Sequence, residues 1–160
     1  MQMVVQPTGA DRLVAADVAR GTTRMLARED CLAVAEVALG NNRRADLMGL
    51  CSKGLVTIVE VKISRADLLG DAKWTDYLSY CDRFFWAIPV GFDVALLDRP
   101  ELLPERAGVI VADRYDAAII RQPIPVPLAA SRRRAETLRF ARRAARRLIG
   151  EVDDQTLSMR

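Results

Sequence analysis

Asp46 is followed fourteen residues later by Glu60-Val61-Lys62, two acids and a lysine set inside segments that otherwise read as apolar strand. Charge in such positions is expensive unless something compensates it. Residues 44–51 and 55–62 flank the short turn Ser52-Lys53-Gly54, and Val56, Thr57, Ile58, Val59 and Val61 give the second arm strong β propensity. Pairing Cys51 with Leu55 across that turn sets Asp46 opposite Glu60. Opposed Cβ atoms lie about 4.5–5.5 Å apart in antiparallel strands, where like charges repel unless a cation sits between them. Alternation keeps Lys62 on the face of Glu60, where an ammonium can orient an attacking water or steady negative charge developing on phosphorus. These are parts for metal-assisted phosphodiester hydrolysis, with Asp46, Glu60 and Lys62 as the candidate catalytic set. The same count across Gly40-Asn41-Asn42 pairs Leu39 with Arg43 and brings Glu36 opposite Asp46 as a third carboxylate. The chain has no histidine and no clustered thiols, so Asp46, Glu60 and Glu36 form an all-oxygen ligand set that selects Mg²⁺ or Mn²⁺ over zinc. The blander alternative is a surface ion pair of Glu60 with Lys62 and a strand-end cap at Asp46. Apolar Ile58, Val59 and Val61 beside them weigh against it.

The elements that must hold these residues can be read in order. Leu13, Val14, Val18, Met25 and Leu26 recur at helical spacing over 11–28, despite Gly21, which costs a helix about 1 kcal/mol relative to alanine. A strand is expected over 31–39, closed by the turn signal Gly40-Asn41-Asn42, and then the 44–62 hairpin, whose second arm is apolar on both faces and so belongs in the middle of a covered sheet. Ser64 and Asp67 offer a capping signal for a short helix. Trp74, Tyr77, Leu78 and Cys81 continue at helical intervals over 72–80. Further strands are expected at 84–88, 108–112 and 117–121. Pro123, Pro125 and Pro127 then lead into a helix over 131–149. The fold class is α/β (α+β): a mixed central sheet flanked by helices, in one domain over 11–149, with loose tails at 1–10 and 150–160.

Composition removes whole reaction classes. Without histidine there is no imidazole base and no Ser-His-Asp triad. Neither the Gly-Lys-Ser/Thr phosphate loop nor Gly-x-Gly-x-x-Gly is present, which argues against a nucleotide cofactor. The longest uncharged stretches, 1–10 and 122–131, are too short to cross a bilayer, which needs about 20 residues. Three scattered cysteines do not suggest a disulfide framework, and a cytoplasmic location is expected.

The net charge of +3 hides a concentrated patch: residues 131–149 hold eight arginines against Glu136 alone. On a helix Ala135, Leu138, Ala141, Ala145 and Leu148 form an apolar stripe, while Arg139, Arg143 and Arg146 share another face. This reads as a phosphate-tracking surface with Arg132, Arg133 and Arg134 at its start, or equally as a solvated terminal helix. An acidic protein partner is a third reading. Arg43 and Arg44 are placed to contact phosphates beside the acids. Trp74 reads first as core, as do Phe84, Phe85 and Trp86.

The pattern Asp46…Glu60-x-Lys62 resembles the signature of the PD-(D/E)XK nuclease superfamily, whose core runs α-β-β-β-α-β. The blocks Arg43-Arg44-Ala45-Asp46-Leu47, Ile58-Val59-Glu60-Val61-Lys62, Lys73-Trp74-Thr75-Asp76-Tyr77 and Tyr80-Cys81-Asp82-Arg83-Phe84-Phe85 resemble, more specifically, the MmcB-like DNA-repair family of bacteria. The resemblance implies a restriction-endonuclease-like fold, a DNA-repair role on damaged or branched DNA, metal ligation by Asp46 and Glu60, and a catalytic Lys62. Two departures stand out. Ala45 replaces the superfamily's proline, which is no ligand, and Lys73 stands with Tyr77 where several relatives carry Gln-x-x-x-Tyr, so that Lys73 is expected to meet phosphate and Tyr77 to stack on a base. The leading expectation is a Mg²⁺- or Mn²⁺-dependent deoxyribonuclease; the alternative is a non-catalytic DNA-binding or adaptor module on the same fold. One short basic helix leaves room for a second copy or a repair-complex partner to complete the grip on DNA.

Overall fold

The computed structural model describes residues 12–158. The expected tail at 1–10 and the first residue of the expected first helix lie outside them. Helix α1 spans Ala15–Arg28, followed by β1 (Cys31–Ala38), β2 (Arg44–Cys51), β3 (Val56–Val61), the short helix α2 (Arg65–Gly70), β4 (Arg83–Pro89), β5 (Ala107–Ala112), β6 (Ala117–Arg121) and α3 (Ala130–Ser158). The stretch expected as a helix at 72–80 is a tighter 3₁₀ segment, Trp74–Tyr80, and two shorter 3₁₀ turns at Val94–Asp98 and Pro100–Leu102 bridge β4 to β5. Residues 150–158, expected as part of a loose tail, continue α3.

The six strands lie in sequence order, β1 to β6. The pairs β3–β4 and β4–β5 are parallel and the others antiparallel. The leading order α-β-β-β-α-β agrees with the expected core. Every residue of β3 is buried, as its two-sided apolar sequence requires. One face of the sheet packs Leu47, Val59, Phe85 and Ile110 against Val18, Met25 and Leu26 of α1. The other packs Met48, Ile58, Phe84, Trp86 and Val109 against Trp74, Tyr77 and, from α3, Phe140.

Gly21 explains itself in this packing. A Cβ there would meet the Asp113 carbonyl oxygen at 2.0 Å and that of Asp116 at 2.6 Å, so α1 lies on the β5–β6 turn only because the side chain is missing. The propensity lost in the helix is the condition for that contact.

Asp82, fully buried, ties β3, the connector before α3 and α3 itself together. It accepts the Val56 N–H at 2.7 Å, the Leu128 N–H at 2.8 Å, and two bonds from the Arg133 guanidinium at 2.7 and 2.6 Å. Burial pushes its pKa up, but the Arg133 bonds and the two backbone donors outweigh that and hold it below the usual carboxylate value.

The expectation against a disulfide is corrected. Cys31 and Cys51 face each other in the β1–β2 ladder with Cα atoms 3.9 Å apart and are disulfide-bonded, while Cys81 is free and buried. The register that pairs Leu39 with Arg43 also pairs Cys31 with Cys51, so the signal was present in the strand count.

Candidate active site

The hairpin register places Leu47 opposite Val59, and the regular ladder stops there. One residue further on, side chains take over the backbone's bonding. The Asp46 N–H donates to Glu60 Oε1 at 3.0 Å, and the Val61 N–H donates to Asp46 Oδ2 at 2.8 Å. The strands splay while their amides stay satisfied, and the two carboxyl groups are fixed side by side. Each spends one oxygen on the backbone, and its second oxygen has no bond among the described residues.

The pair is electrostatically loaded. Burial pushes Glu60 up to about 8, and the neighbouring Asp46 adds to that, while the backbone donor and Lys62 only partly offset it. Burial likewise raises Asp46 against the opposing pull of the Val61 N–H and Lys62. Lys62 is buried on the Glu60 side of the strand, its Nζ 5.9 Å from the Trp86 ring centre. It donates to Asp71 Oδ2 at 2.9 Å and lies 3.7 Å from Asp67 Oδ1, both from the α2 segment. Burial alone would lower its pKa, but the Asp71 bond and the surrounding acids together raise it, so the group stays an ammonium. As a cation it can orient a water or stabilise negative charge, but it has no lone pair with which to accept a proton.

These residues line an open cavity of about 1210 Å³ at the end of the sheet where β2 begins and β3 ends. Its walls include Arg20 and Arg24 of α1, Arg44 of β2, and Tyr77. No site role is expected from the sequence for Arg20, Arg24, Asp67 or Asp71. The helical phase of Arg20 and Arg24, opposite the buried Val18–Met25 face, was the available signal, and the Ser64–Asp67 cap, closed by an Asp67 N–H to Ser64 Oγ bond of 3.1 Å, marked α2.

Other candidates fall differently. Glu36 sits at the register position opposite Asp46, but its backbone is left-handed (φ 53°), and the side chain is exposed, 3.9 Å from Arg147. The kink inverts the strand's alternation: Cys31 and Ala33 face α1, whereas Val37 and Leu39 face the other core. Glu36 therefore stays at the cavity wall and does not join the pair; among the described residues no group of three acids, cysteines or histidines can hold a metal. Arg43 is clipped to Asp76 at 3.1 Å. Lys73 is exposed and lies outside the cavity lining. Tyr77 is buried against Phe84 and donates its hydroxyl to the Arg44 carbonyl at 3.0 Å, which makes it a core residue at the cavity wall; burial and the nearby acids raise its pKa.

The α3 surface is the reverse of its expected arrangement. Arg133, Glu136 and Phe140 face the protein, whereas Ala135, Leu138, Ala141, Ala145 and Leu148 are exposed. Arg133 is spent on Asp82, and Arg139 on Glu136 and the Ala38 carbonyl. Arg132 lies over the Tyr80 ring at 4.5 Å. Arg143 is half-buried, and of the arginines expected to track phosphate here Arg134 and Arg146 remain fully outward, beside Arg142.

A family model described as "DNA repair protein MmcB-like" matches residues 5–155. The chain belongs to the MmcB-like family. A solved structure titled "SPO1766 protein of unknown function from Silicibacter pomeroyi" is similar to this MmcB-like chain at 38% identity and a TM-score of 0.77, covering 96% of each. No curated protein matches the chain. Membership places the MmcB-like chain in DNA repair. Among its described residues no helix is long and apolar enough to cross a membrane.

Proposed function

We propose that this MmcB-like protein is a divalent-metal-dependent deoxyribonuclease of the PD-(D/E)XK type. One observation carries the reading: Asp46 and Glu60 are held together by each other's strand, with Lys62 buried on the same side of one cavity. Two buried acids, both raised by burial and Glu60 raised further by Asp46, are poorly compensated by one ammonium already bonded to Asp71. A hard dication suits the free oxygen of each, and Mg²⁺ is commonly held by only one or two carboxylates, with water and substrate phosphate completing its shell. Asp46 and Glu60 would hold the ion, which would supply Lewis-acid polarisation of the phosphoryl oxygens.

The chain's own groups supply the rest. Lys62, held as a cation, steadies the negative charge that grows on phosphorus as water attacks. Asp71 and Asp67 fix the direction of its ammonium. Arg20, Arg24 and Arg44 on the cavity wall meet the flanking phosphates and fix the register of the backbone without reading bases.

Labelled single-stranded, duplex, flap and junction DNA incubated with Mg²⁺, Mn²⁺ or EDTA, beside Lys62→Ala, tests this. Metal-dependent cleavage by the native protein is expected, with a loss of at least about a hundredfold in the variant and DNA binding retained. Cleavage that persists in Lys62→Ala overturns the assignment. Salt-sensitive binding without cleavage of any substrate replaces the nuclease with a DNA-binding adaptor on the same fold.

A further inference from the structure

Away from the cavity, at the other end of the β1–β2 hairpin, lies a second chemically loaded group. Cys31 and Cys51 are cross-strand neighbours on the α1 face of the sheet. Gly49 leaves room for the Cys31 sulfur, since a Cβ there would meet it at 2.9 Å. Arg83 of β4 reaches across β3 and places Nη2 3.0 Å from Cys51 Sγ and 4.0 Å from Cys31 Sγ. Its other side-chain bonds go to the neutral Thr57 hydroxyl, at 3.0 and 3.2 Å, and no carboxylate lies within ion-pair distance among the described residues. A half-buried guanidinium that faces two sulfurs and a hydroxyl has its best available counter-ion in a thiolate.

We propose that Cys51 is a peroxide-reactive cysteine, with Cys31 as the thiol that resolves it. Cys51 takes the first role because Arg83 is nearer its sulfur and because it is half-buried, whereas Cys31 is fully buried. In the reduced protein the Cys51 thiolate attacks a hydroperoxide oxygen; the S–O bond forms, the O–O bond breaks, and hydroxide (or alkoxide) leaves. The Cys31 thiol then attacks the Cys51 sulfenic sulfur; the S–S bond forms, the S–O bond breaks, and the Cys31 proton departs with the oxygen as water. Two thiols lose two electrons and the peroxide gains them. The charged groups that act on this pair are Arg83 directly and, through Arg83, Asp82 at the start of β4 and Glu29 at the end of α1; Asp82 is already committed to Arg133. Cys81 takes no part: burial lifts its thiol to about 12.

The reaction is independent of nuclease activity and is tested on the full-length, fully reduced protein with one equivalent of hydrogen peroxide. Peptide mass mapping is expected to show Cys31 joined to Cys51 and Cys81 still a thiol. Cys31→Ser should stop at a Cys51 sulfenic acid that dimedone traps, whereas Cys51→Ser should leave Cys31 reduced. In Cys31→Ser, alkylation of Cys51 at pH 7 should run about tenfold faster than that of an unperturbed thiol, whose pKa is about 8.5. Adding Arg83→Leu should remove that advantage and Arg83→Lys should keep most of it. Ordinary alkylation of Cys51 with Arg83 in place, first oxidation at Cys31, or a pair left reduced by peroxide would each overturn the proposal. The first of these is read without any Arg83 substitution, so a variant that fails to fold does not blunt the test.

Discussion

On the proposed reading, Glu60 is where a proton and a divalent cation compete. Its folded pKa of about 8, against an ordinary 4.5, means that between those values the native protein holds a proton that the unfolded chain has released. The group's contribution to stability is therefore most favourable below pH 4.5 and declines as pH rises through this window, reaching its full penalty above about 8. A dication held there as proposed would reverse the penalty by binding the ionised form, and below about pH 8 it would first have to displace the proton. Melting curves with and without Mg²⁺ should show a larger stabilisation near pH 8.5 than near pH 6.5, with apparent affinity falling up to about tenfold per unit of acidification. Glu60→Gln should remove both the pH dependence and the metal response. A Mg²⁺ effect equal at both pH values would place the ion elsewhere. Lys62 partly offsets the upward shift of Glu60 from the same side of the strand, but its immediate bond is to Asp71, a contact that strand alternation could not reveal because Asp71 arrives from the α2 segment.

At the scale of elements, Asp82 shows how one buried charge can seat a helix. It has no solvent, and its four bonds come from β3, from the connector before α3, and from Arg133 on α3 itself. Asp82→Ala removes the carboxylate and strands the guanidinium, which should cost about 3 kcal/mol in urea unfolding at pH 7. Because the folded pKa lies below 3.8, Asp82 contributes its stability fully above that value and loses it as pH falls through the folded value. The gap between native and variant protein should thus persist at pH 5 and narrow only below pH 4. The hairpin register was legible because short turns leave few ways to count: the same arithmetic set Asp46 beside Glu60. It failed at Glu36, where one left-handed residue turned the side chain outward, a conformation no spacing rule encodes. It failed again on α3, where alanines and leucines suggested the inner face. There Arg139 and Arg147 instead donate to the Ala38 and Ala35 carbonyls of β1.

Across the whole molecule, that reversal changes where DNA should lie. The sequence concentrates its positive charge in 131–149, but inward-facing arginines cannot neutralise phosphates. Arg20, Arg24 and Arg44 instead surround the cavity that holds Asp46 and Glu60, with their side chains exposed. A backbone positioned for the proposed hydrolysis would pass this rim, whereas Arg142 and Arg146 lie on the outer side of α3, away from the cavity lining. Binding measured by fluorescence anisotropy on the Lys62→Ala background separates the two surfaces without cleavage interfering. Arg20→Glu with Arg24→Glu should weaken binding across all sequences and flatten the dependence of log affinity on log salt by about one unit per lost phosphate contact. Arg142→Glu with Arg146→Glu changes the net charge by the same amount. It should therefore lower affinity only through the general field, with a smaller loss and a nearly unchanged slope. If the α3 pair instead gives the larger loss and the flatter slope, the duplex runs along the terminal helix, and the cavity receives its substrate from a strand that leaves that helix.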